Sequence, residues 1–249
     1  MSRPEAAVRR RVFVVSAGLD IGMPIAAGLA AAGAAVARLH DGGAAAQPAC
    51  DGAAAEVPTR FESRAAVEQA FAIASSCTGG PEQVVVSAIA LPALVAREVA
   101  ALDDEHWRSA CTAAIKSVLY TLQAAHAAFA GRGGSIVVVG PALALAGAPQ
   151  LVALATALEG QRGLVKSAAR QWGRHGITVN WVAVAPLALS PQFATLPLPV
   201  KPDAVPVALG RAPALAGEVA PVIDFLASPA GRAVTGATLV VDGGEWMVP

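Results

Sequence analysis

Short apolar, β-branched runs alternate with helical patterns along the whole chain, and few folds accept that alternation. Strand-like runs fall at residues 11–15, 34–39, 84–87, 135–139, 177–184 and 237–241, and helical patterns at 21–32, 63–75, 103–130, 150–173 and 217–227. The strands are apolar throughout and lack the polar alternation of a sheet with one wet face. They therefore imply a parallel sheet covered by helices on both sides. Asp20 opens the first helix and Pro24 stands in its first turn. Residues 41–55 read as a Gly/Ala/Pro loop. Residues 186–213, rich in Pro and Ala, are placed to cover a crevice at the carboxyl ends of the strands. There is neither an internal repeat nor a composition break. The expectation is one three-layer, doubly wound, Rossmann-like α/β domain with a mainly parallel central sheet, spanning residues 1–249.

Composition narrows the partners. A chain 55% hydrophobic and 14% charged, with 18 basic against 18 acidic residues, is not disordered and has no basic excess to neutralise nucleic-acid phosphates. The uncharged run 21–37 is mostly Ala and Gly with Pro24 inside, which is not the density of a membrane span. The arginines before Val12 imitate a signal peptide's basic start, but Asp20 interrupts the apolar stretch that follows. Cys50, Cys77 and Cys111 form no CxxC pair and no cluster with histidine. They read as reduced thiols of a cytoplasmic protein, with no disulfide and no metal site.

The run Glu218-Val-Ala-Pro-Val-Ile-Asp-Phe-Leu-Ala-Ser228, then Val234-Thr-Gly236 and Val240-Val-Asp-Gly-Gly244, resembles the last helix and strand of the short-chain dehydrogenase/reductase family. His175-Gly-Ile-Thr-Val-Asn180 resembles that family's approach to its sixth strand, and Asp103-Asp-Glu-His-Trp107 the start of its long fourth helix. The resemblance implies carbonyl reduction in which a tyrosine is the general acid and a lysine four residues on lowers its pKa. A serine binds the substrate oxygen and an asparagine supports a proton relay. Placed proton transfer is worth roughly 10²- to 10⁴-fold in rate.

Here those positions are empty of acid–base chemistry. Counting back from His175 places Leu154 at the tyrosine, Leu158 at the lysine and Pro141 at the serine. Counting forward from Trp107 places Ala114 at the asparagine. No slip restores the motif, because Tyr120 is the sole tyrosine and position 124 is alanine. The lysines are Lys116, Lys166 and Lys201; Lys116 precedes Tyr120 by four, the reverse of the motif. Leu154 and Leu158, a helical turn apart, are expected to fill the old active-site space with hydrocarbon. No catalytic residue and no metal ligand is assigned.

The cofactor positions have changed in parallel. Where the family has Thr-Gly, three residues, then Gly-Ile-Gly, this chain has Val15-Ser-Ala-Gly-Leu-Asp-Ile-Gly22. Ser16 and Asp20 replace the first two glycines, and Gly22 remains. Asp20 is expected to offer its carboxylate to the amides that would hold pyrophosphate. Two like charges about 4 Å apart repel by roughly 4 kcal/mol at an effective dielectric of 20, about three decades of affinity. A rearranged loop turning Asp20 away is the alternative. His40 and Asp41 stand where an acid holds ribose hydroxyls, and Asp41 fits after a one-residue shift. Arg60 replaces the acid beside adenine, Ser87-Ala-Ile-Ala90 replaces Asn-Asn-Ala-Gly, and Val184-Ala185 replaces Pro-Gly ahead of Pro186. No cofactor is expected in this chain.

What still matches builds the fold and, in the family, the subunit contacts. The resemblance implies assembly through the fourth and fifth helices and through residues 234–248. A charge at Ala128 or Val165 is then expected to split the assembly. Three function classes follow. The first is a non-catalytic subunit of a hetero-oligomer, a tetramer by resemblance, beside an active short-chain dehydrogenase paralogue that carries NAD. It is similar to the inactive subunit type of heteromeric hydroxyacyl-CoA dehydrogenases such as the 2-[hydroxy(phenyl)methyl]succinyl-CoA dehydrogenase of anaerobic toluene breakdown. The second is a stand-alone oxidoreductase with an atypical constellation drawn from His126, His175, Cys111, Asp20 and Glu159. The third is a small-molecule sensor using the vacated crevice.

Overall fold

The computed structural model describes residues 9–41, 49–50, 54–198 and 207–247. Lys201, the middle of the 186–213 stretch and Val248 lie outside the described residues, as does most of the expected 41–55 loop. β1 (Arg11–Gly18), α1 (Gly22–Ala31), β2 (Ala35–Asp41), β3 (Ala49–Cys50), β4 (Ala54–Thr59), α2 (Arg64–Thr78) and β5 (Gln83–Ile89) form the first half. The second half comprises α3 (Asp104–Trp107), α4 (Ala113–Phe129), β6 (Gly134–Pro141), α5 (Val152–Trp172), β7 (Ile177–Val184), α6 (Pro186–Leu189), α7 (Ala220–Ala227) and β8 (Thr238–Val241).

The sheet has eight strands in the order β3-β4-β2-β1-β5-β6-β7-β8, parallel except where β3 meets β4. The doubly wound order and the mainly parallel pairing agree with the sequence expectation. β1, β5, β6 and β7 are buried almost end to end, because helices cover both of their faces. α2, α4 and α5 pack side by side on one face, and α1 and α7 on the other. Phe13 of β1 meets Phe71 of α2 edge to face, with centroids 5.4 Å apart.

Four expectations need correction. The expected 41–55 loop contains β3 (Ala49–Cys50) and the first two residues of β4, which runs on through Thr59. Pro58 is tolerated there because β3 pairs only with Ala55 and Glu56, leaving β4 with β2 as its one neighbour at Pro58. The expected single helix 103–130 opens with α3, capped by Asp103 on the His106 amide, and passes through a π-turn at Arg108–Thr112 before α4. The last helix likewise opens with a π-turn, Leu215–Val219. Finally, Cys50 and Cys77 are joined in a disulfide that ties β3 to the end of α2, so two of the three thiols are not reduced. Their Cα atoms lie 5.7 Å apart, a spacing that spacing in sequence does not reveal. Cys111 alone is free, and it is buried. No described helix is long and apolar enough to cross a membrane.

Candidate functional site

The carboxyl ends of β1, β2 and β5 converge on the β1–α1 turn, the place where a doubly wound sheet opens a ligand crevice. Gly18 ends β1 at φ +82°, and a Cβ there would come within 2.2 Å of the Ile89 carbonyl oxygen, so only glycine fits. The Leu19 amide donates to that same carbonyl at 2.9 Å, pinning the turn to β5. Gly22 begins α1 against β1, and a Cβ there would meet Ser16 Oγ at 2.4 Å. The surviving glycine thus permits close packing of helix on strand.

The turn's amides are held by the chain's own carboxylates. Asp20 Oδ1 accepts from the Gly22 amide at 3.0 Å, and Asp41 accepts from the Gly18 amide. Asp20 sits one residue ahead of the cap position, which Ile21 occupies. Its other oxygen pairs with Arg38 Nη2 at 2.8 Å, and Arg38 Nη1 reaches Glu56 at 3.1 Å. His40 Nε2 lies 3.2 Å from the second oxygen of Glu56. Arg38 therefore offsets much of the Asp20 charge, and the repulsion expected of an unpaired Asp20 is reduced; what Asp20 does is occupy an amide. The rearranged turn that would free that amide is not what forms.

Asp41 does reach the crevice, as the one-residue shift anticipates. Burial pushes its carboxyl above the ordinary value, the Gly18 amide opposes that, and Glu62 adds to it. A cavity of about 280 Å³ remains beside it, lined among others by Ala17, Asp41, Phe61, Glu62, Ala90 and Ala114. Arg60 is exposed and is not part of that lining; Glu62, two residues on, is. Sequence reasoning passed over Gly18 and Glu62, though a glycine directly after an apolar strand was a usable signal for the first.

The positions that the resemblance assigns to the acid–base groups hold hydrocarbon. Ala114 is 4% exposed on α4, Leu154 1% and Leu158 0% on α5, and Pro141 is buried at the end of β6. A Cβ on Gly140 would stand 2.5 Å from the Trp181 ring and 3.1 Å from Leu158 Cδ2, so the space inside α5 is closed by Leu158 and Trp181. One helical turn on, Gln161 is fully buried and donates to the Ala88 carbonyl at 2.9 Å. Ser16 and Ser87 face each other across β1 and β5, and their buried hydroxyls find no partner among the described residues.

The alternative catalytic groups do not assemble. His126 stacks on Trp172 at 4.7 Å and lies 6.1 Å from His175, at the amino-terminal end of the sheet. Glu159 holds Arg162, whose Nε reaches Thr238 of β8 at 3.2 Å. Burial pushes the Cys111 thiol up, away from reactivity. Lys116 is exposed and Tyr120 packs half-buried against the core. Among the described residues no group of His, Cys, Asp and Glu is arranged to hold a metal ion.

Comparison with known proteins agrees on the lineage. A family model described as Enoyl-(Acyl carrier protein) reductase matches residues 17–245. Galactitol 2-dehydrogenase (L-tagatose-forming) of Cereibacter sphaeroides is 31% identical over 93% of this chain and 92% of its own length. The short chain dehydrogenase/reductase astE of Aspergillus oryzae is 32% identical over 73% and 71%. Short-chain dehydrogenase RED2 of Pyricularia oryzae is 38% identical, but the match spans only 43% of that protein and 46% of this one. Among solved structures, a short-chain dehydrogenase/reductase from Serratia marcescens superposes with a TM-score of 0.75 at 25% identity, covering 95% of this chain and 97% of that one. A blue fluorescent protein from a metagenomic library, solved in complex with NADPH, gives 0.75 at 25% identity over 95% and 98%.

Proposed function

The chain belongs to the short-chain dehydrogenase/reductase family, and we propose that within it the protein is a non-catalytic subunit of a heteromeric dehydrogenase. The observation that carries this reading is the filling of the acid–base positions: Leu154 and Leu158 are core residues packed under α5, with no proton to give. A nicotinamide dinucleotide does not fit the β1–α1 turn. Its pyrophosphate would have to displace Asp20 from the Gly22 amide and Asp41 from the Gly18 amide, and then sit beside the acids Asp41 and Glu62. No hydride transfer is therefore assigned to this chain. NAD belongs to an active family paralogue whose asparagine, serine, tyrosine and lysine are in place. By its likeness to the inactive subunit type, the complex acts on a hydroxyacyl-CoA such as 2-[hydroxy(phenyl)methyl]succinyl-CoA. The cytoplasm is the compartment where such a partner finds its cofactor, and the thiols lend that placement no support now that Cys50 and Cys77 are paired.

The test titrates the purified chain with NADH and NADPH by fluorescence and assays carbonyl reduction alone and after co-expression with a family paralogue whose asparagine, serine, tyrosine and lysine are intact. The expected result is no binding in the low micromolar range and activity only in the complex. Tight binding of either nucleotide, or turnover by the chain alone, would overturn the proposal. A second reading has one observation in its favour. The crevice beside Asp41 and Glu62 stays open at about 280 Å³, a volume and charge suited to a small cationic ligand rather than a nucleotide.

A further inference from the structure

A second cavity among the described residues is larger than the crevice. It lies at the opposite end, where β1, β5, β6 and β7 begin, and encloses about 470 Å³. Eight residues of β1 separate the two, roughly 25 Å at about 3.3 Å per residue. Four arginines line this cavity, Arg10, Arg11, Arg132 and Arg232, against one acid, Glu82. Arg11 is matched by Glu82, whose carboxylate takes both the Arg11 amide at 3.0 Å and its guanidinium at 3.1 Å. Arg10 is matched by Asp224 of α7.

Arg132 and Arg232 are not matched. Arg132 donates only to the Ala128 and Phe129 carbonyls at the end of α4, each at 3.2 Å. The Arg232 guanidinium has no hydrogen bond or ion pair among the described residues. Four positive charges against Glu82 and Asp224 leave two uncompensated around one concave space. The buried Nε atoms of Arg10 and Arg11 also lack partners among the described residues. Burial pushes the Arg10 guanidinium below its ordinary value, the direction a bound anion would reverse.

We propose that this cavity binds the phosphoryl group of a small phosphate ester. A phosphoryl dianion balances the two unmatched charges, and guanidinium forks suit its oxygens. The volume exceeds what a bare phosphate needs and lies within the range of small-molecule sites. Pro81, Leu226 and Pro229 supply apolar wall for the organic part. At this distance from the crevice the occupant is an effector of the subunit and not a substrate of the relict centre. Free phosphate offers the same chemistry, so the experiment separates the two sources.

Calorimetric titration of the full chain with AMP, inorganic phosphate and adenosine provides the test, repeated for Arg132→Ala, Arg232→Ala and the double variant. AMP is expected to bind and adenosine not to bind. Each truncation should weaken AMP roughly tenfold, the order of one charge-assisted hydrogen bond, and added salt should weaken it further. AMP tighter than phosphate identifies an ester as the ligand, and equal affinities identify free phosphate. Both arginines are exposed, and the Arg232 side chain makes no bond among the described residues, so loss of binding by Arg232→Ala at an unchanged melting temperature reports on the site. Absence of AMP and phosphate binding at millimolar concentration, or affinities unmoved in the double variant, would overturn the proposal.

Discussion

Asp41 shows how a side chain from one strand can occupy a backbone donor at the end of another. Its bond to the Gly18 amide joins residues 23 apart, brought together because β1 and β2 run parallel in register. That burial raises its carboxyl pKa, so the stability linked to this group is fully present below the ordinary value of 3.8 and is lost as pH rises through the elevated one. Asp41→Asn keeps an acceptor for Gly18 and removes the charge. It should therefore raise Tm slightly at neutral pH and leave it unchanged near pH 3, a small effect because the side chain remains partly open to solvent. Thermal melts across that range check this, and a destabilisation growing with pH would contradict it. Counting along the chain assigns Ala114, Pro141, Leu154 and Leu158 to the family's acid–base positions through neighbouring segments that resemble the family, and the structure places all four in buried surroundings. The Asp41–Gly18 and Asp20–Arg38 contacts depend on strand pairing, which single-residue reading does not see.

Among the elements, the buried strands β1, β5, β6 and β7 were legible because continuous β-branched runs have few other uses. β4 was not, since Ala54, Ala55, Glu56 and Pro58 carry weak strand propensity and are recruited by pairing with β2. The π-turns ahead of α4 and α7 keep the side-chain pattern of a helix and leave no mark in periodicity. The β3–α2 tether was equally hidden, because cysteines 27 residues apart suggest no frame by themselves. In the chain-entropy picture, closing a loop of that length stabilises the fold by about 3.5 kcal/mol. Reduction, or the Cys50→Ser, Cys77→Ser pair, should then lower Tm by on the order of ten degrees for a domain this size. β3 offers little else, being two residues paired only with β4, so the loss should be local. Hydrogen exchange should quicken in β3, β4 and the end of α2 and stay slow in β6 and β7. Unchanged melting after complete reduction would show the bond adds nothing.

At the scale of the whole molecule, the outward surface decides whether the chain stands alone. Val165 is not on that surface; at 1% exposure it belongs to the chain's own core, so a charge there reports on folding. Ala128 lies in the groove between α2 and α4, beside Phe71 and Ala124. The outward apolar position on α4 is instead partly exposed Leu119, since Ile115 lies against α5 at Gly160, and Leu164 and Leu239 to Val241 pack partly buried against the chain's own core. Phe225 at 42% and Met247 at 80% extend this surface near the last strand. β8 is a sheet edge of four partly exposed, uncharged residues, Thr238 to Val241, an edge of the kind that solvated monomers avoid. If like helices meet around shared two-fold axes, an inactive chain braces an active one without touching substrate. Leu119→Glu and Phe225→Glu place a charge that water can reach in the free chain and that becomes buried and unpaired in a complex, typically a cost of several kcal/mol. Each variant should melt like the parent when alone, yet fail to co-purify with an active family paralogue or shift its mass by light scattering. Complexes that survive both charges would place the partner elsewhere, and a parent chain that stays monomeric beside every paralogue would remove the subunit role.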